Sequence, residues 1–122
     1  GRIASAARAD YAAAAAAVLT SAAPQAGKVY ELAGDDAYTL TALAAEIAGQ
    51  TGKAIVYQNM PEADYAAALM GAGLPDYIAT LLAESDTGAS KGGLFDDSKT
   101  LSQLIGRPTT PLAEMVKIAL AV

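Results

Sequence analysis

The sequence contains no cysteine and no histidine, and the two absences exclude several kinds of chemistry. Without cysteine there is no disulfide framework and no thiolate nucleophile, and without histidine the usual zinc and non-haem iron ligands are missing. Hydrolases that pair a serine or cysteine with a histidine base are excluded for the same reason. Mg²⁺ or Ca²⁺ held by carboxylates is the metal chemistry that the composition still allows, and we predict no metal site.

Basic residues are few and scattered along the chain. There are 8 Lys and Arg against 13 Asp and Glu, which gives a formal net charge of −5. A nucleic-acid surface needs clustered cations, so we predict that the protein binds neither DNA nor RNA. No apolar run approaches the roughly 20 residues of a bilayer span, and the start lacks a signal-peptide pattern. We therefore predict no membrane partner and a cytoplasmic location.

The residues that are present are typical of one folded unit. With 122 residues, of which 53% are hydrophobic, the chain can bury one modest core, so we treat 1–122 as a single domain. It opens at Gly1 without an initiator methionine. We therefore expect it to be a piece of a longer protein.

The residue pattern predicts a mostly helical α/β fold with a small parallel sheet. Segments 28–32 and 54–57 have the β-branched and aromatic content of strands. Between them, leucine and isoleucine recur at helical spacing, with Thr39 or Thr41 able to cap the helix and Gly52 able to close it. Strand, crossover helix and strand in this order is the pattern of a parallel pair.

The rest of the chain is predicted to be helical. An alanine-rich helix follows a short strand-like start, and Asp10 is its expected cap. Pro61, Pro75 and Pro111 each stand where a further helix opens, because proline fits a first helical turn. The glycine-rich stretch 86–97 interrupts the periodic pattern and is predicted to be the longest loop.

Two of the later helices carry apolar stripes that we predict to be buried. The residues of the first stripe are Ile78, Leu81 and Leu82, and those of the second are Leu112, Met115, Val116 and Ala119.

The glycine-rich stretch matches part of a nucleotide-binding motif, but the strand that should precede that motif is not predicted here. Residues 87–93 fit part of a Thr-Gly-x-x-x-Gly-x-Gly pattern, in which glycines let a pyrophosphate approach the backbone at a helix N-terminus. That loop needs a buried strand before it, whereas 78–85 has a helical pattern, and Leu94 stands where the last glycine belongs. We interpret the stretch as a surface or pocket-lining loop and assign no cofactor-binding residue.

No catalytic residue is predicted. None of the six tyrosines is followed four positions later by lysine, so the Tyr-x-x-x-Lys pair that activates a phenol is missing. The carboxylate pairs Asp35-Asp36 and Asp96-Asp97 are interpreted as solvated residues that flank helix starts. The alternative is that they bind a metal ion or act in acid/base catalysis. Loop positions are where ligand contacts concentrate, and the substrate-pocket candidates chosen on that ground are Tyr38, Lys91 and Phe95.

Three stretches resemble the C-terminal region of the NmrA-like quinone oxidoreductases of the short-chain dehydrogenase group. They are 8–14, 27–34 and 88–101, of which the last is the most specific. The ending, Leu104 to Arg107 with Pro108 before Leu112, is similar to that of extended short-chain dehydrogenases. The resemblance covers essentially the whole chain, and from it we expect the natural C-terminus to be present.

The resemblance implies a parent whose N-terminal Rossmann domain binds NADPH or NADH and passes hydride to a quinone without a flavin. On this interpretation, 1–122 is the C-terminal substrate-side domain: it lines the quinone pocket and is inactive without the missing N-terminal half. Its uncovered apolar surface favours self-association, so a homo-oligomer is a further expectation. Two alternatives remain open. One is a regulatory relative that senses dinucleotides without turnover, and the other is a stand-alone helical interaction module.

Overall fold

The computed structural model of the protein describes residues 1–121 and is built from α-helices. Three pairs of helices pack together: the first with the fifth, the second with the sixth and the third with the fourth. In chain order they are α1 (Arg8–Leu19), α2 (Leu40–Thr51), α3 (Glu62–Gly71), α4 (Asp76–Ser90), α5 (Thr100–Ile105) and α6 (Leu112–Leu120). None of these helices has the length and apolar character needed to cross a membrane.

The small parallel sheet is not formed, so this part of the predicted fold is corrected. Segments 28–32 and 54–57 are neither helical nor paired, and their Val29 and Val56 side chains are 85% and 86% exposed. Within 1–121 the β-type pairing is a single antiparallel bridge between Ile3 and Tyr38. Composition shows which residues suit a strand, but a strand also needs a neighbouring backbone to accept its hydrogen bonds.

The predicted ends of α2 are confirmed. The Thr39 hydroxyl accepts a hydrogen bond from the Ala42 N–H at 3.1 Å, which satisfies one of the free amides of the first turn. At the other end Gly52 has a φ of 69°, the left-handed conformation that lets its N–H bond back to the Ala48 carbonyl. Local chemistry alone decides both ends, which is why the sequence predicts them.

Two other local predictions are wrong. Asp10 does not cap α1, because the N-cap position belongs to Ala7 and the Asp10 side chain is buried inside the first turn. The long loop is also shorter than predicted, since α4 continues through Gly88 to Ser90. A glycine in a helix interior costs only about 1 kcal/mol relative to alanine, so the packing of α4 against α3 outweighs it.

The core is small and consists mainly of alanine. The buried apolar residues are Ala4, Ala7, Ala14, Ala79, Ala83, Ala89, Leu101 and Val116. On α4 the face toward the core carries alanines, whereas Leu81 and Leu82, predicted to be buried, are 56% and 40% exposed. Small side chains let two helices approach closely, and the large ones are left on the outer surface.

The chain exposes more surface than a compact protein of its mass. Its accessible area is 8074 Å², whereas a compact 12.2 kDa monomer exposes roughly 6,100 Å². The excess of roughly 2,000 Å² is comparable to one side of a large obligate interface. Several exposed large apolar side chains, such as Leu94 and Phe95, belong to this surface. The fold therefore presents an apolar surface suited to contact with another domain or chain.

Candidate functional site

Two depressions of ligand size lie in this surface, and they share no lining residue. The first, called the polar groove here, has a volume of about 850 Å³ and runs between the segment 57–60 and the end of α4. The second, called the apolar cavity, has a volume of about 350 Å³ and lies between α2 and α6. Both fall within or near the range of small-molecule sites, which is roughly 300 to 1,000 Å³.

The strand-like start of the chain positions the walls of both depressions. Ile3 and Tyr38 exchange backbone hydrogen bonds of 2.8 and 3.0 Å. On the next residue, the Ala4 N–H donates to the Leu94 carbonyl at 2.9 Å, and the Ala4 carbonyl accepts from Gly34 at 2.8 Å. Two segments that are distant in sequence, 34–38 and the one around Leu94, are thus held on one short backbone segment.

The polar groove combines hydrogen-bonding side chains with apolar ones. Gln58 and Asn59 supply amide groups, and the Tyr57 hydroxyl donates to the Asn59 side-chain oxygen at 3.0 Å. Met60 and Leu94 supply apolar surface to the same groove. This combination suits a ligand with an apolar body and polar oxygens at its edge.

The three predicted substrate-pocket residues do not come together in one depression. Tyr38 lines the apolar cavity, where its hydroxyl lies 2.8 Å from the Ser5 hydroxyl. Lys91 is the residue immediately after α4, and Phe95 is 47% exposed. Neither lines the groove or the cavity, although Leu94, next to Phe95, lines the groove. Their contact with a substrate stays a prediction.

Sequence reasoning missed the polar groups of the groove. A signal was available, because Gln58 and Asn59 follow directly on a segment with strand composition, and ligand sites concentrate where such elements end. Thr87 was missed for another reason. It lies inside α4 and its hydroxyl donates to the Glu62 carboxylate, so only the packing of α4 against α3 shows that it lines the groove.

The glycine-rich stretch does not fit a pyrophosphate. Residues 87–90 form the last turn of α4, and the Gly88 carbonyl accepts from the Gly93 N–H at 3.0 Å in the turn that follows. A helix C-terminus presents carbonyl oxygens and the negative end of the dipole, whereas a phosphate requires N–H groups at an N-terminus. A dinucleotide therefore has no phosphate cradle in this stretch.

Asp10 is a buried carboxylate that links the two ends of the chain. Its Oδ1 accepts from the Arg107 guanidinium at 2.7 Å, and its Oδ2 accepts from the Thr110 N–H at 2.7 Å. The Thr110 hydroxyl adds a third donor at 3.2 Å. These contacts hold the segment before α6 against α1, so Asp10 has a structural role.

Asp35 holds the neighbouring position of the same segment. Its Oδ2 accepts from the Thr109 N–H at 2.9 Å, and the Thr109 hydroxyl accepts from the Asp35 N–H at 2.8 Å. The Lys99 ammonium lies 3.9 Å from Oδ1. In the second carboxylate pair, Asp96 accepts hydrogen bonds from Ser98. Over 1–121, no three acidic side chains are grouped closely enough to hold a metal ion.

Asp10 and Asp35 both favour their charged forms. Burial alone would raise the pKa of Asp10, but the Thr110 N–H, the Arg107 guanidinium and the Thr110 hydroxyl together hold it below 3.8. The Thr109 N–H, assisted by Lys99, lowers the pKa of Asp35 in spite of burial. Each group therefore stabilises the fold fully above the unfolded pKa of 3.8, and this contribution is lost as pH falls through the lower folded pKa.

We expect the free energy of unfolding of the chain to fall steeply below pH 3.8, because the unfolded chain then binds protons that the native state binds only at lower pH. Urea titrations at a series of pH values would measure the effect. Asp10→Asn should flatten this acid limb, whereas Glu84→Gln, a change on the exposed face of α4, should leave it unchanged. An acid limb equally steep in Asp10→Asn and in the parent chain would contradict the assignment to Asp10.

Comparison with known proteins finds close relatives in both sequence and structure. The chain is 69% identical to quinone oxidoreductase 2 of Escherichia coli (strain K12) over 116 residues, which is 95% of this chain and 40% of that protein. No family model matches the chain. The chain thus spans less than half the length of the curated relative.

Solved structures agree with the sequence comparison. The crystal structure of NADPH-dependent quinone oxidoreductase QOR2 from E. coli, complexed with NADPH, matches 98% of this chain with a TM-score of 0.93 and 67% identity. The chain covers 42% of that protein. The Citrobacter sp. triphenylmethane reductase complexed with NADP(H) matches with a TM-score of 0.88 and 34% identity, over 98% of this chain and 41% of that protein. In sequence and in fold, the chain is similar to somewhat less than half of a quinone oxidoreductase.

Proposed function

We propose that this chain is the substrate-side lobe of an NADPH-dependent quinone oxidoreductase. The observation that carries the proposal is the 69% identity to quinone oxidoreductase 2 over 95% of the chain. The excess exposed surface supports it independently, because a lobe that packs against a second lobe must carry an apolar contact surface when it is taken alone.

In this proposal the two lobes bind different reactants. The other lobe binds NADPH, which supplies the hydride, since the glycine-rich stretch of this chain lies at a helix C-terminus. A quinone that takes up a hydride and a solvent proton becomes a hydroquinone, and NADP⁺ is released. This chain contributes orientation: it holds the quinone ring beside the reductant so that transfer needs little further ordering.

The polar groove is the wall that we assign to the quinone. Met60 and Leu94 can cover the faces of a flat ring, and the Gln58 and Asn59 amides can donate hydrogen bonds to its carbonyl oxygens. The triphenylmethane reductase is named for a compound built of six-membered rings, which favours a ring-containing acceptor for this chain too. Lys91 and Phe95 would then lie near the open end of the groove, beside Leu94.

The two unpaired extended segments fit the same proposal. Segments 28–32 and 54–57 have the composition of strands and expose their backbones. A sheet in the other lobe would supply the missing partners and would satisfy the N–H and C=O groups that a lone segment leaves to water. The predicted α/β architecture would then be completed between the lobes.

A chimera tests the proposal directly. Joined in place of the corresponding region of the E. coli relative, this chain should support NADPH oxidation with 1,4-benzoquinone at a rate within about tenfold of the parent enzyme, an allowance of about 1.4 kcal/mol in the barrier. The 122-residue chain alone should give no quinone-dependent oxidation, because its glycine-rich stretch offers no phosphate cradle and NADPH is assigned to the other lobe. Absorbance of NADPH in both samples is the measurement.

Two outcomes would count against the proposal. Turnover by the isolated chain at the chimera's rate would mean that the reductant binds here and that the division of labour is wrong. A folded chimera that binds NADPH but never reduces quinone would favour the regulatory alternative. Within the chimera, Asn59→Ala should lower activity, while Glu84→Ala on the exposed part of α4 serves as the matched control.

A further inference from the structure

The apolar cavity is separate from the groove assigned to the quinone. Leu43 and Ile47 of α2 form one wall, and Met115 and Val116 of α6 form the opposite wall. The volume of about 350 Å³ is large enough for a molecule with two fused rings. All the residues that line this pocket belong to this chain.

The cavity is lined by the apolar stripe of α6, which the sequence predicts to be buried. Of the four stripe residues of α6, Val116 is buried, whereas Leu112 and Met115 are only partly buried and Ala119 is exposed. All four line the cavity. The apolar side of α6 therefore lines an open apolar pocket where α6 meets α2.

One edge of the cavity carries a pair of hydroxyl groups. The Ser5 and Tyr38 oxygens lie 2.8 Å apart, and either can be the donor. Two hydroxyls have two protons, and their mutual hydrogen bond uses one of them. The other proton stays available, so the pair can always donate one hydrogen bond to an oxygen placed in the cavity.

Charge restricts the kind of molecule that fits. Asp36 also lines the cavity and is exposed, and the chain as a whole carries a net charge of −5. On the same side, the Thr109 hydroxyl accepts from the Asp35 N–H, and the Thr110 hydroxyl donates to Asp10. A carboxylate, sulfonate or phosphate would be repelled here, whereas a neutral carbonyl or hydroxyl oxygen would find a donor.

We propose that the apolar cavity is a second binding site, for a neutral aromatic molecule whose carbonyl or hydroxyl oxygen accepts a hydrogen bond from the Ser5 and Tyr38 pair. The site works without the nucleotide and without the other lobe. Its occupancy is therefore independent of the quinone reaction, and it can be present even if the proposed activity is absent.

Titration with the neutral fluorescent naphthyl ketone Prodan tests this site in the 122-residue chain. We expect one molecule bound per chain with a blue-shifted emission, because the naphthyl ring leaves water. Ala119→Phe fills the cavity from an exposed position of α6 and should weaken binding at least about tenfold. The double change Ser5→Ala with Tyr38→Phe keeps the ring but removes both hydroxyls, and should weaken binding about fivefold, the value of one hydrogen bond.

Control variants distinguish binding in the apolar cavity from binding elsewhere on the surface. Tyr57→Phe removes a hydroxyl from the polar groove and should leave Prodan binding unchanged, and circular dichroism should show equal helix content in all variants. Equal binding by Ala119→Phe and the parent chain would mean that the probe adheres to other apolar surface, which would overturn the proposal. Loss of the site in the two-lobe chimera would overturn it as well, because the other lobe would then fill the cavity.

Discussion

Replacing Asp10 with alanine is expected to lower the free energy of unfolding by about 3 kcal/mol. The side chain is 0% exposed and accepts hydrogen bonds from Arg107 and from the Thr110 N–H and hydroxyl. Alanine leaves those donors without their acceptor and removes the link between α1 and the segment before α6. The Arg107 side chain is 49% exposed, so water recovers part of its loss, and this limits the expected effect.

Urea unfolding followed by circular dichroism measures this effect. Asp10→Asn keeps one oxygen acceptor and should cost roughly half as much as Asp10→Ala, since charge-assisted hydrogen bonds are about twice as strong as neutral ones. Glu84→Ala, on the exposed surface of α4, should change stability by less than about 0.5 kcal/mol. If Asp10→Ala behaved like that surface variant, Asp10 would have no structural role.

Replacing Gly34 with alanine is expected to destabilise the chain by about 2 to 4 kcal/mol, or to prevent folding. A Cβ atom at this position would lie 2.2 Å from the Ser5 carbonyl oxygen. That oxygen belongs to backbone, and the Gly34 N–H is itself bonded to the Ala4 carbonyl at 2.8 Å. The strand-like start and the turn that contains Gly34 would have to separate, and both depressions would lose their shared support.

Gly49 provides the matched control for this substitution. It lies in α2, and nothing within 4 Å would meet a Cβ atom there. Gly49→Ala should therefore raise stability, by up to about 1 kcal/mol, because alanine loses less backbone freedom in a helix. The two variants add the same methyl group, and opposite signs are expected. A Gly34→Ala chain as stable as the parent would show that the close approach to Ser5 is not rigid.

The sequence predicts single residues of the candidate site from their local surroundings. It does not predict which residues from distant parts of the chain come together there. The loop position of Tyr38 predicts a substrate-pocket residue, and Tyr38 lines the apolar cavity, which is not the groove assigned to the quinone. Ser5, which bonds to its hydroxyl, is 33 residues away in the sequence, and no local pattern indicates that contact. Gln58 and Asn59 could have been noticed after a strand-like segment. Thr87 could not, because a helix position shows its role only once α3 packs beside it.

The sequence by itself determined the helices, several of their ends and the family resemblance. The caps at Thr39 and Gly52 depend on hydrogen bonds within a few residues. The family resemblance depends on the amino-acid sequence of the stretch 88–101. The tertiary structure alone decided that 28–32 and 54–57 stay unpaired and that Asp10 bonds to Arg107, 97 residues later. The physical reason is the sequence separation over which each interaction acts. Helix propensity and capping depend on neighbours within a few residues, whereas strand pairing, burial and cavities depend on which distant segments pack beside a residue.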